Sequence, residues 1–148
     1  MESDTSFLLI GALAAQANTT KDTIRHYDEM GLLKSRKRQA GSRLYTEFHP
    51  ECIERIKMIK DAQAIGFTLN EFKRYLNDHF NGTLNIDKDL ITISEKLTEA
   101  KRQKTEIINT INQLSACYTI LVEIKSENIG FISNSEWGKR IAAHLSLT

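Results

Sequence analysis

The side chains with recognisable chemistry in this 148-residue chain are mostly basic, and they come in two groups. The first is "TTKDTIRHY", which places Thr20, Lys21, Thr23, Arg25, His26 and Tyr27 close together. The second is "KSRKRQAGSR", residues 34–43, with Lys34, Arg36, Lys37, Arg38 and Arg43 and no acid among them. Clustered guanidinium and ammonium groups hold phosphate, and an arginine flanked by hydroxyls and an imidazole can read base edges. The formal net charge is only +1, so the distribution of charge, not its sum, points to a polyanionic partner. Nothing points to catalysis. There is no glycine-rich phosphate loop, no nucleophile motif and no metal constellation, and His26, His49, His79 and His144 are scattered. The expectation is a protein that is not an enzyme and holds no cofactor or metal. Cys52 and Cys117 lie far apart, which is no disulfide framework and suits a reducing cytoplasm.

The elements that must position these groups follow from periodicity and capping. One proline and seven glycines suit long helices, and 41% hydrophobic with 26% charged residues excludes a disordered chain. No apolar run is long enough to span a membrane, so no membrane partner is expected. The opening run, Phe7 to Ala17, has the greasy core and small-residue end of an export signal. The residues before it, "MESDTS", are acidic where such a signal is basic, so a helix is expected instead. Ile10, Leu13, Ala14 and Ala17 share its inner face. After a break at "ANT", Thr20 caps a second helix, "KDTIRHYDEM", with Asp22 in its first turn. Ile24, Tyr27 and Met30 point inward, and Gly31 ends the helix in the left-handed C′ position. Two short helices joined by a tight turn form a helix-turn-helix, whose second helix enters the major groove. Ala40-Gly41 then turns a basic arm back into "SRLY", a β-hairpin wing.

Two further helices complete this half. Ile53, Ile56, Ile59, Ala62 and Ile65 form one stripe of a third helix, with Pro50 at its first position and Gly66 at its end. In "FTLNEF", Thr68 and Glu71 form a capping box, and Phe67 and Phe72 hold the staple positions.

These residues resemble the MerR family of bacterial transcription regulators. The resemblance covers about residues 10–76 and rests on "TIRHYDEMGLL", on Gly41 with Arg43, and on "AIGFTLNEF". It implies a mostly α-helical fold: a winged helix-turn-helix domain at 7–80, a dimerisation helix at 86–125 forming an antiparallel coiled coil, and a short helical tail at 126–148. It implies double-stranded promoter DNA as partner, RNA polymerase at the same promoter, and distortion of a palindromic operator in an overlong spacer. Arg25, with Lys21 and Thr23, is expected to face the groove. Tyr27 matches the family's second aromatic, which contacts backbone; His26 stands where an aromatic is usual. Arg36 and Arg43 are expected to hold phosphates from the wing. One departure is visible: "RLYTEFHPEC" holds about three more residues than the family pattern, so either Tyr45 or Phe48 can close the wing.

From Ile86 onward the pattern is a heptad. Leu90, Leu97, Lys104, Ile111 and Tyr118 form one series; Ile86, Ile93, Ala100, Ile107, Leu114 and Leu121 form the other. A stripe this long needs a second helix, and a homodimer is the economical answer. Lys104 interrupts the seam. It either pairs with Glu99 or Glu106 of the partner helix, or packs its stem and sends its charge to water. Metal-sensing relatives carry several cysteines near the end of this helix. Here the matching position is Leu121, and Cys117 stands alone without a nearby cation, so an inert thiol is expected and the inducing signal stays open. In the tail, Ser133 and Glu136 form a capping box, Trp137, Ile141 and Leu145 share a face, and His144 is unpaired. Two alternatives to the regulator remain: an architectural or excisionase-like DNA protein without effector, and an interaction coiled coil that no longer reads DNA.

Overall fold

The computed structural model describes residues 6–146. The acidic opening, residues 1–5, and the last two residues of the tail lie outside the described part. The chain divides after Ile86 into two compact units. The first contains β1 (Leu8–Leu9), α1 (Ile10–Gln16), α2 (Lys21–Glu29), β2 (Ser35–Ala40), β3 (Arg43–Phe48), α3 (Cys52–Ala64) and α4 (Leu69–Asn81). The second consists of α5 (Ile86–Glu127), whose first residue is the boundary, and α6 (Asn134–Leu145).

The apolar opening run does not start as a helix. Leu8 and Leu9 form a short strand against Phe48 and Glu47, so the wing is a three-stranded sheet in the order β1-β3-β2. Pairing satisfies backbone groups that β3 would otherwise present as an open edge. The following turn is local chemistry. Asn18 takes φ 49°, Thr19 N–H donates to the Ala14 carbonyl at 3.0 Å, and Thr20 then caps α2 by accepting from Thr23 N–H at 3.1 Å. α2 closes in the same manner, with Gly31 at φ 73° and Leu32 N–H donating to the Tyr27 carbonyl at 3.0 Å. In the hairpin, Gly41 at φ 61° takes the first position of a two-residue turn, with Ala40 and Arg43 as the closing pair.

α3 begins at Cys52, two residues later than the proline rule suggests. Pro50 sits in a preceding turn in which the His49 ring Nδ1 accepts from Glu51 N–H at 3.1 Å. That turn and the run of β3 to Phe48 take up the lengthened link after Tyr45. Phe48, 1% exposed, closes the wing onto the core, while Tyr45 remains 36% exposed. The core joins Leu13, Ile24, Leu32, Phe48, Cys52, Ile56, Ile59 and Leu76. Full burial of one such leucine or isoleucine is worth about 1.5–3 kcal/mol. Ile65 leaves the expected stripe: it follows the last helical residue, where the chain turns at Gly66, and is exposed. α4 carries the complete capping box between Thr68 and Glu71, and the Phe67 and Phe72 rings meet edge to face at 6.0 Å.

In the second unit, Ala116 and Ile120 of α5 are buried, and Trp137, Ile141 and Leu145 of α6 are half-buried. The capping box expected at Ser133 is one-sided. Ser133 accepts from Glu136 N–H at 3.2 Å, but the Glu136 carboxylate turns to Arg140 Nε at 3.0 Å, a charge-assisted bond. His144 is not unpaired: its Nε2 lies 3.0 Å from Glu123 Oε1. Arg140 also reaches Glu127 at 3.1 Å, so ion pairs tie α6 to the end of α5. Among the described residues, no helix is long and apolar enough to cross a membrane.

Candidate nucleic-acid interface

One side of α2, from Lys21 to Glu29, meets the wing across a groove of about 790 Å³. Lys21 and Arg25, with the acids Asp28 and Glu29, line it from α2; Lys37, Leu44, Tyr45, Thr46 and Phe48 line it from the sheet. The basic side chains have different freedom. Arg25 is held at 2.6 Å from Asp22, one turn back on the same exposed helix face. Lys21 lies over Gly11, where an added Cβ would sit 3.7 Å from the lysine Cε. Lys37 Nζ donates to Thr46 Oγ1 at 2.6 Å. The Thr23 and Thr20 hydroxyls share a 2.8 Å bond, which couples the helix cap to a side chain of the expected reading face. His26 is exposed.

Tyr27 lies differently. It is 5% exposed, its hydroxyl donates to Gln63 Oε1 at 3.2 Å, and burial pushes its phenol pKa up. It anchors α2 to α3 as a core residue.

The hairpin register separates the wing's basic residues. Strand side chains alternate, and the pairs Arg36–Glu47, Lys37–Thr46 and Arg38–Tyr45 place Arg36, Arg38, Arg43, Tyr45 and Glu47 on one face. Lys37 takes the other, with Thr46 and Phe48. The structure therefore brings Lys37, absent from the expected site, beside Lys21 and Arg25. Arg36 and Arg38 instead converge on Glu47. Arg43 is exposed and makes no ion pair among the described residues. Glu47, which no motif marks, is 6% exposed between the two arginines. Lys60 is another residue that spacing does not reveal. Its ammonium donates to the carbonyls of Ala17 and Asn18 at 3.2 and 2.8 Å and braces the turn between α1 and α2.

On α5 the heptad residues are open in the single chain. Leu90 (62%), Leu97 (53%), Ile107 (60%) and Leu114 (64%) are exposed. Ile93, Ile111, Tyr118 and Leu121 share this exposure, as do Ala100 and Lys104 between them. Glu99 and Glu106, the acids considered for Lys104, are both engaged by Arg102 of their own helix. The Arg102 hydrogen bond holds the Glu99 carboxyl down to about 2. Among the described residues, no three His, Cys, Asp or Glu side chains are grouped to hold a metal ion.

A capped helix presenting lysine and arginine, one tight turn after a supporting helix and beside a basic antiparallel wing, defines a winged helix-turn-helix protein of the DNA-reading class. The comparisons narrow this. The model of the MerR helix-turn-helix regulatory protein family matches residues 8–79. The transcriptional regulator YfmP of Bacillus subtilis (strain 168) is 34% identical over 107 residues, 72% of this chain and 74% of that protein. The transcriptional regulator ZntR of Escherichia coli (strain K12) is 32% identical over 102 residues, 66% and 69% of the two chains. The chain belongs to the MerR family, and it is a DNA-binding transcription regulator. Solved structures agree in fold. A MerR-family transcriptional regulator from Bacillus cereus superposes with TM-score 0.57 at 15% identity, over 96% of this chain and 98% of that one. HiNmlR, a MerR-family regulator lacking the sensor domain and bound to promoter DNA, gives 0.52 at 19% identity, over 84% and 96%.

Proposed function

We propose that this regulator binds a palindromic promoter operator as a homodimer and acts by distorting the promoter for RNA polymerase in response to a signal. The observation that carries this reading is the groove shared by Lys21 and Arg25 of α2 with Lys37 and Thr46 of the wing. Arg25, Lys21 and Thr23 read base edges, and His26 adds an exposed donor. Thr20 caps the helix, and Tyr27 fixes its angle from within the core. Lys37, Arg36, Arg43 and Tyr45 meet backbone, which sets register and salt dependence while base contacts set sequence. A second copy covers the α5 seam, because a continuous exposed apolar stripe of this length is an association surface. Binding at a palindrome with bent DNA adds readout by deformability.

The test is a titration of the full-length protein against DNA upstream of its own gene and against a scrambled duplex at physiological salt. A preference of about a thousandfold or more is expected for a specific regulator. Arg25→Ala is expected to lose about 1–3 kcal/mol of that binding. Full operator affinity in Arg25→Ala would remove the recognition-helix assignment. Equal, weak wild-type binding to every promoter tested would remove the regulator reading.

A further inference from the structure

The wing's arginines are constrained more tightly than a solvated basic loop requires. Arg36 and Arg38 project from the same hairpin face and close on one carboxylate. Arg36 Nε lies 3.1 Å from Glu47 Oε2, and Arg38 Nε lies 2.7 Å from Glu47 Oε1. The carboxylate side chain is 8% exposed, whereas both arginines are 56% exposed. Arg36 is fixed on a second side: its guanidinium carbon stands 3.5 Å from the centroid of the Phe7 ring. Phe7 itself is braced edge-on by His49 at 5.5 Å.

A guanidinium carries five N–H donors in a rigid fork. Both arginines meet Glu47 through Nε, and among the described residues neither commits an Nη donor to a hydrogen bond. The outward Nη edges are therefore left for another acceptor. Two cations on one carboxylate also leave the cluster positive. We infer that Glu47 and Phe7 are positioning residues that hold Arg36 and Arg38 as a preformed two-pronged clamp for DNA phosphate. Arg38 thereby joins the phosphate-binding residues. Glu47 strengthens DNA binding although it is an anion beside a polyanion, because fixing the arginines beforehand lowers the ordering cost of binding. The inference rests on the proposed DNA-binding reading.

The experiment measures affinity for operator and scrambled duplexes between about 50 and 200 mM salt. It uses the full chain as wild type, Arg38→Ala, Arg36→Ala/Arg38→Ala, Glu47→Gln, and the combination of all three. Arg38→Ala is expected to weaken binding to both duplexes by a similar factor and to lower the salt slope by about 0.9, and the double variant by about twice that. Glu47→Gln is expected to weaken binding on the order of threefold to tenfold, and to do nothing further once both arginines are gone. Simple repulsion between Glu47 and DNA predicts the opposite sign. Tighter binding by Glu47→Gln, or equal weakening with and without the arginines, overturns the positioning role. A wild-type salt slope in the double variant overturns the clamp, while loss of operator binding in Arg25→Ala keeps the DNA reading intact. A wild type with no salt-sensitive DNA binding overturns both. Should Glu47→Gln not fold, Phe7→Ala takes its place. It is expected to weaken binding in the wild type but not in Arg36→Ala, and equal weakening in both overturns the proposal.

Discussion

Arg55→Ala is expected to loosen the whole N-terminal unit. Arg55, on α3, is 5% exposed. Its Nε donates to Glu51 at 2.8 Å, and its Nη1 donates to the Leu32 carbonyl at 3.2 Å and to Asn77 Oδ1 at 2.9 Å. The guanidinium carbon also lies 4.4 Å from the Phe80 ring centroid. One side chain thus joins the exit of α2, the start of α3 and the end of α4. Truncation strands a buried carbonyl and an amide oxygen, at about 1–3 kcal/mol for each unsatisfied group. It also breaks a buried ion pair, for which the whole loss runs to about 3–5 kcal/mol. Glu51 keeps some solvent, its side chain being 18% exposed, which argues for the low end, about 3 kcal/mol. Hydrogen exchange in peptides spanning Cys52–Ala64 reports this opening directly, free of the helical signal of α5. A loss of that size speeds exchange about a hundredfold, since each 1.4 kcal/mol is tenfold. Acceleration below about tenfold would refute the argument, because the network would then be worth no more than a surface pair. Arg55→Lys keeps the charge without the fork and is expected to lose nearly as much.

Tyr27→Phe removes the bond to Gln63 and is expected to cost about 0.5–1.5 kcal/mol of stability while changing DNA affinity less than threefold. A tenfold affinity loss with intact folding would place the hydroxyl on DNA instead. Burial pushes the Cys52 thiol up to about 11 from 9.0. The neutral thiol's contribution to stability is therefore complete below the ordinary thiol range and is lost as pH rises through the folded value. Alkylation of the native protein at mildly alkaline pH is expected to label half-buried Cys117 before buried Cys52, and mass spectrometry of the two peptides decides the order. Lys104→Leu is expected to raise dimer stability by about 1–3 kcal/mol, since it replaces a cation in an otherwise apolar seam. Concentration-dependent melting that shows unchanged or lower stability would end the view of Lys104 as a register residue.

The features legible in the sequence were those written within one helical turn. Thr20, Gly31 and the Thr68–Glu71 box act on backbone groups within about one turn, so type and spacing were enough to place the ends of α2 and the start of α4. The apolar stripe of α5 was legible for the same reason: its seven-residue period is a property of one helix. Tertiary structure decided what depends on partners distant in sequence. Leu8 and Leu9 become a strand only because β3 needs a neighbour on that edge. Phe48, not Tyr45, closes the wing, and Lys37, not Arg36, lines the groove, because hairpin register sets the face and a one-residue shift exchanges the two. Ser133 caps α6 as its spacing predicts, but the Glu136 carboxylate accepts from Arg140 and not from the cap amide. Arg55 has one partner within a turn, Glu51, but its others lie 22 and 23 residues away, and Arg36 lies 11 residues from Glu47, so spacing does not mark the burial of Arg55 and Glu47. Local backbone chemistry thus set the bounds of α2. The faces and burial of the charges around it came only when distant strands and helices desolvated them together.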